Sequence, residues 1–443
     1  MMDEYNTENK RVSKKHSILL VIIYSCAFIG AVFSNVQMLT LIIISVCMVA
    51  LSTKGKIDYI FPIAILWNDA LGSIPGGFTV YYVFFFCVLI DLLGRFQSRR
   101  AEMKTTPGKL IYVLFSIFIN FQMYASGATS VQRFLIGAFS MIWAYSTIER
   151  VIQKEEYNDF LFLSASAIAL AIVASTISGY QGTYLGAFGT VISRAGLLGQ
   201  GSAADPNMAA LAIDTGFLLC MMSNMKKNYK IIFSCIFVFG LMRTVSLSGI
   251  LFFGIAILLY LLFEAKYERG AWQLKVIGSL LAIIVLLFVF YYYADLTGND
   301  TIISVRNRIA ELFQQLSLGE FDDLSSGRFS VRQQGMSFFS QQGFIRQLFG
   351  GNSPYVVNNF ATHNTYLEQL LRFGLLGFIV LSVAAIRKLV ILTKLHYSGE
   401  LGVPNNTVAG AIALKYMLFL FSYALSINGG CPLVIWAGVL YCI

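Results

Sequence analysis

The feature that most constrains this chain is a close succession of apolar segments, many of them about as long as a membrane span. A helix needs about 20 predominantly apolar residues to cross a bilayer, and fourteen stretches approach that length. They are 17–34, 36–51, 57–74, 78–94, 110–126, 131–148, 160–178, 207–223, 230–247, 249–263, 274–294, 366–393, 408–427 and 429–443. Several are short and the last carries Pro432, so we expect an all-α polytopic membrane protein with about 12–14 transmembrane helices.

Composition agrees with this fold class. Of the 443 residues, 57% are hydrophobic and only 12% are charged, about half the charged fraction of a soluble domain. So few charges cannot coat a soluble surface, which excludes a soluble enzyme, and the 14% aromatic content excludes a disordered chain. The seven cysteines lie in or beside apolar segments without a CxxC pair, so neither a disulfide framework nor a zinc site is predicted.

The cationic residues orient the predicted helices. With the N-terminus in the cytoplasm, alternate crossing places 22 of the 32 Lys and Arg residues on the inner side, which is the usual bias of inner membrane proteins. The formal net charge of +9 is therefore attributed to membrane orientation, and no nucleic acid is expected as a partner. The expected location is the bacterial cytoplasmic membrane, with many spans and with membrane lipids as neighbours.

The same threading leaves nine arginines and no lysine on the outer side. They are Arg133, Arg194, Arg243, Arg306, Arg308, Arg328, Arg332, Arg346 and Arg372. A guanidinium group is planar, permanently charged and able to hold phosphate oxygens in pairs. An arginine-only face therefore indicates recognition of phosphate or carboxylate, although pairing with outer acids or lipid headgroups would use the same residues.

The segments divide the chain into three parts. Residues 1–294 hold the N-terminal transmembrane helices, about eleven spans, with a short outer loop at 179–206. Residues 295–365 form one large outer loop, periplasmic or extracellular, and loops of that length are usually functional or disordered. Residues 366–443 hold the C-terminal transmembrane helices. The large loop is expected to contain short helices and to be the catalytic part.

Helical spacing supports order in that loop. Apolar residues recur every three or four positions in Ile302–Leu316, which predicts an amphipathic helix on the membrane surface. Ser325 or Ser326 would cap a second helix. Arg328 and Arg332 lie four residues apart and would share one face of it, where two guanidinium groups could hold one diphosphate; a solvated face with scattered charge is the plainer interpretation.

Histidine content restricts the chemistry on the outer side. Of the three histidines, His16 and His396 fall at inner ends of segments, and only His363 is placed outside. A three-histidine metal site cannot be built there, and no metal or cofactor is expected. Histidine is the natural general base near neutral pH, but beside Asn364 it could instead be a capping or hydrogen-bonding residue.

The short outer loop contains one basic residue, Arg194. It is followed by Asp205-Pro206-Asn207, a good helix start because Asp caps a helix and Pro is favoured in the first turn. Capping accounts for Asp205 but leaves Arg194 without a structural explanation.

Three short motifs stand in the same order as in a known family. The run His363–Glu368, followed by Gly374 and Gly377, is similar to an HN-x-[YF]-L…G-x-x-G signature. Ser326-Gly327-Arg328 resembles an S-G-R motif in a large outer loop. Both motifs are found in the O-antigen ligase and Wzy-type polysaccharide polymerase superfamily, which this chain resembles over residues 180–380.

The third motif is Arg194 with Asp205-Pro206-Asn207, which resembles the Arg and (D/N)-P-N of the family at the start of a mid-chain helix. Two positions depart from the pattern. Family members often carry Ser-Arg-Gly between two mid-chain helices, whereas here Arg243 precedes a serine-rich stretch. Arg332 stands where an aromatic residue is common.

The resemblance implies metal-independent glycosyl transfer from an oligosaccharide linked through diphosphate to a polyprenol such as undecaprenol. His363 would be the catalytic base, and Arg194 and Arg328 would stabilise the charge on the leaving diphosphate. The remaining candidates are substrate-binding residues: Arg332, Arg306, Arg243, Asn364, Tyr366, Glu368 and Asn207. Tyr366 and Glu368 could equally be packing residues at the helix entrance.

The acceptor is less constrained than the donor. We favour a polymerase of O-antigen, capsule or exopolysaccharide, which joins repeat units, over a ligase that transfers a glycan to another acceptor. A flippase or transporter is a further alternative, but it should line a path across the bilayer with polar groups, and the clearest mid-span candidates are Asp214 and Lys415. A flippase and a chain-length regulator of the same pathway are the expected protein partners.

Overall fold

A computed structural model gives the fold. It describes residues 14–53, 57–67, 70–71, 73–74, 78–97, 157–179, 181–185, 191–197, 206–264, 278, 292, 300–318, 328–351, 362–398 and 405–424. The predicted spans at 110–126, 131–148, 274–294 and 429–443 lie outside, or almost entirely outside, the described residues. The predicted caps Asp205 and Ser326 also lie outside them.

The described elements are mainly α-helices. In chain order they are α1 (Lys14–Val32), α2 (Gln37–Ser52), α3 (Phe61–Leu66), α4 (Val80–Gln97), α5 (Tyr157–Ile177), α6 (Pro206–Met222), α7 (Lys227–Thr244), α8 (Leu247–Glu264), α9 (Asp300–Leu318), α10 (Arg328–Gln341), α11 (Phe344–Phe349), α12 (Thr365–Ser398) and α13 (Asn405–Ala424). Two antiparallel hairpins accompany them, β1 (Ser73–Ile74) with β2 (Phe78–Thr79) and β3 (Gln181–Leu185) with β4 (Val191–Ala195).

Several described helices have the character of membrane spans. By length and composition, three are long and apolar enough to cross a bilayer: Ser34–Ser52, Asn158–Ile177 and Leu247–Glu264. Shorter apolar helices cover Ile18–Val32, Tyr82–Asp91 and Pro206–Met222. The expectation of a mainly helical membrane protein is confirmed at this level, while the total number of spans and their direction stay predictions.

Two places differ from the sequence-based prediction. Residues 57–74, predicted as one span, form a 3-10 turn, the six-residue helix α3 and strand β1. Pro62 occupies the first turn of α3, where proline is tolerated, and turn-forming Gly and Pro residues follow the helix in the sequence. The short outer loop at 179–206, for which no strand was predicted, contains the β3–β4 hairpin, with Gly182 opposite Arg194.

Helix α6 is the centre of the described bundle, and most of its residues are buried. It contacts α5, α7, α8 and α13. Small residues allow this close approach: a Cβ atom on Gly216 would lie 2.7 Å from the Phe237 ring of α7 and 3.0 Å from Ile168 of α5. Helix α6 is therefore held in place by packing on several sides.

The N-terminal helices join the same hydrophobic core. Tyr24 of α1 donates a hydrogen bond to the carbonyl of Leu163 at 3.1 Å, and the Trp67 indole donates to the carbonyl of Ala167 at 3.2 Å. Both acceptors lie on α5. Because a buried indole or phenol needs a polar partner, these bonds fix α1 and the α3 region against α5.

Helix α13 runs antiparallel to α6. At its start, the Thr407 hydroxyl donates to the Met222 carbonyl at 3.0 Å, and the Asn406 amide reaches the same carbonyl at 3.2 Å. Helix α8 also packs along α13, with the Phe252 and Phe421 rings edge to face, 4.9 Å between centroids. The end of α13 therefore lies at the level where α6 begins.

Candidate functional site

Five of the predicted site residues fall into two clusters, together with neighbours that the sequence did not indicate. The Arg194 cluster comprises Arg194, Asn207, Thr244 and Ser246, from β4, α6 and the α7–α8 turn. The His363 cluster comprises Arg332, Thr362, His363, Asn364 and Tyr423, from α10, the start of α12 and the end of α13.

Arg194 is held by two elements that are distant in sequence. Its Nε donates to the Thr244 carbonyl at 3.1 Å, and its Nη2 donates to Asn207 Oδ1 at 3.3 Å. The side chain is half-buried, and the β3–β4 pairing fixes its backbone. These bonds orient the planar guanidinium group before any ligand arrives, which is the requirement for stabilising charge without reorganisation.

The turn between α7 and α8 supports the same cluster. Val245 has φ +50°, which is unusual for a β-branched residue and is held only where the surroundings determine it. Ser246 then caps α8, because its Oγ accepts the Gly249 amide at 3.1 Å. The same hydroxyl donates to Asn207 Oδ1 at 2.8 Å. Asn207 Oδ1 thus joins the serine cap to the Arg194 guanidinium.

Helix α9 lies across this turn and confirms the predicted helix at Ile302–Leu316. Val305 is buried against Val245 of the turn, with Ile309 packed beside them. Arg306 is the next residue and is half-buried, with its Nη2 donating to Asn307 Oδ1 at 3.2 Å. The packing of α9 therefore places Arg306 next to the α7–α8 turn.

Arg243 lies in the last turn of α7, directly before Thr244. Its Nη1 donates a hydrogen bond to the Thr176 hydroxyl at the end of α5. It lines a small pocket together with Ser175, Ala195 and Gly196, so it is close to the strand that carries Arg194. The structure therefore places Arg243 beside the Arg194 cluster but ties it to α5.

The His363 cluster is built on a helix start. Asn364 caps α12, since its Oδ1 accepts the Leu367 amide at 3.0 Å. His363 precedes it with φ +50° and is half-buried. Positive φ is uncommon outside glycine but enriched for histidine and asparagine, and such residues concentrate at functional sites. The backbone at His363 is thus held in a conformation that needs support from its neighbours.

Arg332 supplies part of that support. Its Nη2 donates to the carbonyls of His363 and Tyr423, both at 2.9 Å, and its guanidinium lies 4.8 Å from the Tyr423 ring centroid. Burial lowers the pKa of Arg332, and Tyr423 opposes that shift. Arg332 therefore connects the histidine turn to the end of α13, a contact that no local sequence pattern indicates.

Tyr366 and Glu368 also tie the start of α12 in place. The Tyr366 hydroxyl donates to the Phe419 carbonyl of α13 at 2.8 Å. Glu368 is buried, with Oε1 3.4 Å from the Thr362 hydroxyl, which also lies 3.2 Å from the Asn364 carbonyl. These contacts favour a role in holding the histidine turn for both residues.

Arg328 is the first residue of α10 and is half-buried. Helix α10 confirms the second helix predicted in the large loop, and Arg328 stands one turn before Arg332. Close packing fixes this helix against α12, because a Cβ atom on Gly335 would lie 3.1 Å from Leu367. Arg328 is therefore presented from a fixed helix close to the histidine turn.

Both clusters lie at the same end of the bundle. Pro206 lies sixteen residues before Met222 on α6, and Tyr423 lies sixteen residues after Thr407 on the antiparallel α13. Equal lengths of helix from the shared contact of Met222 and Thr407 bring Asn207 and Tyr423 to about the same level. A candidate base and several guanidinium groups thus share one end of the protein.

The remaining predicted features are only partly visible. Ser326 and Gly327 of the S-G-R motif and Asp205 lie outside the described residues. Within the part of the chain that the structure describes, no three His, Cys, Asp or Glu side chains form a group suited to a metal ion. Sequence reasoning missed Thr244 and Tyr423 because both contribute backbone carbonyls to distant arginines.

The family model of O-antigen ligase matches residues 231–382. This match supports the resemblance to the O-antigen ligase and Wzy superfamily. The matched residues include His363, Arg328 and Arg332 but not Arg194 or Asn207. Thr244 and Ser246, which bond to Arg194 and Asn207, do lie within the match. No curated protein matches the chain.

Proposed function

We propose that this protein, whose residues 231–382 match the O-antigen ligase family, transfers a glycan from a polyprenyl diphosphate carrier to a sugar hydroxyl. The reaction takes place on the outer face of the cytoplasmic membrane. The observation that supports it most is the shared end of the bundle at which the His363 and Arg194 clusters lie. An undecaprenyl-diphosphate-linked oligosaccharide is the proposed donor.

The bond changes follow from this donor. The acceptor oxygen attacks the anomeric carbon and its proton passes to His363, while the bond from that carbon to the diphosphate oxygen breaks. The electron pair leaves with the polyprenyl diphosphate, so direct attack inverts the anomeric centre. The activated diphosphate supplies the free energy, and no nucleotide is needed.

The leaving diphosphate requires cationic stabilisation. We assign this to Arg194 and Arg328, with Arg306 and Arg243 as further contributors to binding. Preorganised donors aimed at developing charge are typically worth 10²–10³-fold each in rate. The hydrogen bonds that Arg194 donates to Asn207 Oδ1 and to the Thr244 carbonyl preorganise its guanidinium group. Full activity in both the Arg194→Ala and the Arg328→Ala proteins would contradict this assignment.

The acceptor is proposed to be a second lipid-linked repeat unit, which makes the protein a polymerase. A ligase is the second candidate, because the matched family is described as O-antigen ligase. The two differ only in which hydroxyl reaches His363, and the products in cells distinguish them.

The test uses cells deleted for the gene and complemented with wild type, His363→Ala or His396→Ala at matched membrane levels. His396 is the matched control, since it lies near the other end of α12. Surface and lipid-linked glycans are separated on a gel. In cells without the active protein, single repeat units on the normal acceptor, without a length ladder, identify a polymerase. Long chains that remain on the carrier in those cells identify a ligase. A wild-type pattern with His363→Ala would contradict the base assignment.

A further inference from the structure

Among the residues that the structure describes, helix α11 has one of the most exposed apolar surfaces. The relative exposure is 75% for Phe344, 74% for Ile345 and 60% for Phe349. Phe344 lies four residues before Leu348, and Ile345 lies four residues before Phe349. The four side chains therefore form one continuous apolar side of the helix. Contiguous exposed apolar patches mark an interaction surface.

The position of α11 is fixed by two backbone contacts with α12. The Gly351 amide donates to the Arg372 carbonyl at 2.8 Å. Helix α12 is kinked at Gly374, which has φ +64°, and a Cβ atom there would lie 2.4 Å from the Leu348 carbonyl oxygen. Helix α11 is therefore held against α12 at the level of Gly374 and not at the start of α12.

That level falls beside the apolar part of α12. After Gly374 the sequence carries no charged residue until Arg387, thirteen positions further on, which corresponds to about 20 Å of helix. The hydrocarbon core is about 30 Å thick. If Arg387 marks one surface of this core, Gly374 lies past the midplane, inside the leaflet farther from Arg387. Leu375 and Ile379, next along α12, are exposed on the outside of the bundle.

We propose that α11 is immersed in the leaflet on the side of the His363 cluster, and that lipid acyl chains cover Phe344, Ile345 and Phe349. The surface is continuous with the lipid-facing residues of α12. Arg346 is exposed on the same helix and is placed to extend towards anionic headgroups, as long cationic side chains do near an interface. The proposal does not depend on the proposed function.

Immersion has a structural consequence for the site. Gln347 of α11 donates to the Ser340 carbonyl at 3.0 Å, so α11 is joined to the end of α10. Helix α10 carries Arg328 and Arg332, and α12 begins after His363. A membrane-held α11 therefore sets the height of the His363 cluster above the hydrocarbon, where a lipid-linked diphosphate would lie.

The test measures the environment of α11 in liposomes of phosphatidylethanolamine and phosphatidylglycerol. The seven native cysteines are replaced by serine or alanine, and Ile345→Cys or Phe349→Cys is labelled with an environment-sensitive fluorophore. Ile379→Cys is the reference inside the hydrocarbon and Gln333→Cys, exposed on α10, is the aqueous reference. We expect nitroxide-labelled lipids to quench positions 345 and 349 as strongly as 379, and aqueous iodide to quench only 333.

Two results would overturn the proposal. Iodide quenching at 345 and 349 equal to that at 333 would mean that α11 is in water, and protection from both quenchers would mean that protein covers it. A second measurement keeps all native cysteines: a photoreactive diazirine phospholipid is crosslinked to the wild-type protein, and the peptides are identified by mass spectrometry. Labelling of the peptide with residues 344–349 is expected, and its absence beside labelled α12 peptides would also overturn the proposal.

Discussion

Arg194 and Arg332 carry the same guanidinium group, but their partners give them different tasks. Arg194 is held by a side-chain oxygen of Asn207 and the Thr244 carbonyl, at the start of α6 and the end of α7. In Arg332, Nη2 donates to the carbonyls of both His363 and Tyr423. We therefore propose that Arg332 positions His363 and does not bind the diphosphate together with Arg328.

This difference predicts how substitutions at Arg332 affect kinetics. Arg332→Ala should lower kcat by on the order of 10²-fold, the loss that a small misplacement of a catalytic group can cause, with KM for the lipid-linked donor little changed. Arg332→Lys should recover only part of kcat, because an ammonium group lacks the planar face that lies over Tyr423. Purified protein in liposomes with a synthetic donor gives both constants.

Gln333→Ala is the matched control on the same turn, since Gln333 is exposed. A rise in KM at unchanged kcat for Arg332→Ala would contradict the positioning role, because loss of uniform binding has that signature. Such a result would restore the earlier assignment of Arg332 to substrate binding.

Asn207 offers a second test at this scale. Its Oδ1 accepts hydrogen bonds from Arg194 and Ser246, so Asn207→Ala should release the guanidinium and reduce transfer by about tenfold or more. Asn207→Asp keeps an acceptor oxygen and should retain more activity than Asn207→Ala. The rates are compared in the same liposome assay, and equal losses in the two variants would show that the oxygen is not what matters.

Among the elements, α12 carries the strongest backbone constraint. Gly374 has φ +64° at its kink, and any side chain there would meet the Leu348 carbonyl. Gly374→Ala should therefore cost about 1–3 kcal/mol in the free energy of unfolding and loosen α11. Gly254→Ala on α8 is the control, because a Cβ atom there meets nothing within 4 Å and alanine favours the helix. The two are compared by thermal unfolding in detergent, and an unchanged midpoint for Gly374→Ala would contradict the close contact.

Elements with a periodic apolar pattern could be predicted from the sequence, and less regular ones could not. The repeat in Ile302–Leu316 and the segment at 366–393 led to α9 and α12 within a few residues. The β3–β4 hairpin was not predicted, because glycine-rich stretches carry no alternating pattern. The pair of Arg332 with Tyr423 was also missed, since a backbone carbonyl can come from any residue type.

At the scale of the whole molecule, helix pairing is the part that the sequence does not reveal. Ile379 faces outwards and Ile213 is buried, yet both are equally apolar, because lipid and protein interior favour the same residues. The antiparallel contact of α6 with α13, which brings the two clusters to one end, therefore required the structure. The family match includes His363 but not Arg194, so the joint role of these two residues stays a prediction.

Asp214 gives the test that separates an enzyme from a transporter. It is fully buried on α6, and neither of its carboxylate oxygens has a hydrogen-bond partner among the described residues. A flippase needs polar groups along its path, whereas glycosyl transfer at one end of the bundle does not use this side chain. We therefore expect Asp214→Asn and Asp214→Leu to give the wild-type glycan pattern in complemented cells.

Stability provides the second readout for the same variants. Because a buried carboxyl without a partner costs free energy, Asp214→Leu should unfold at the wild-type temperature or above it, and Asp214→Asn should be close to wild type. His363→Ala serves as the inactive reference at matched membrane levels. Correctly folded Asp214→Asn protein that leaves lipid-linked repeat units on the inner face would contradict the enzyme, because only a transporter would then explain why this residue is needed.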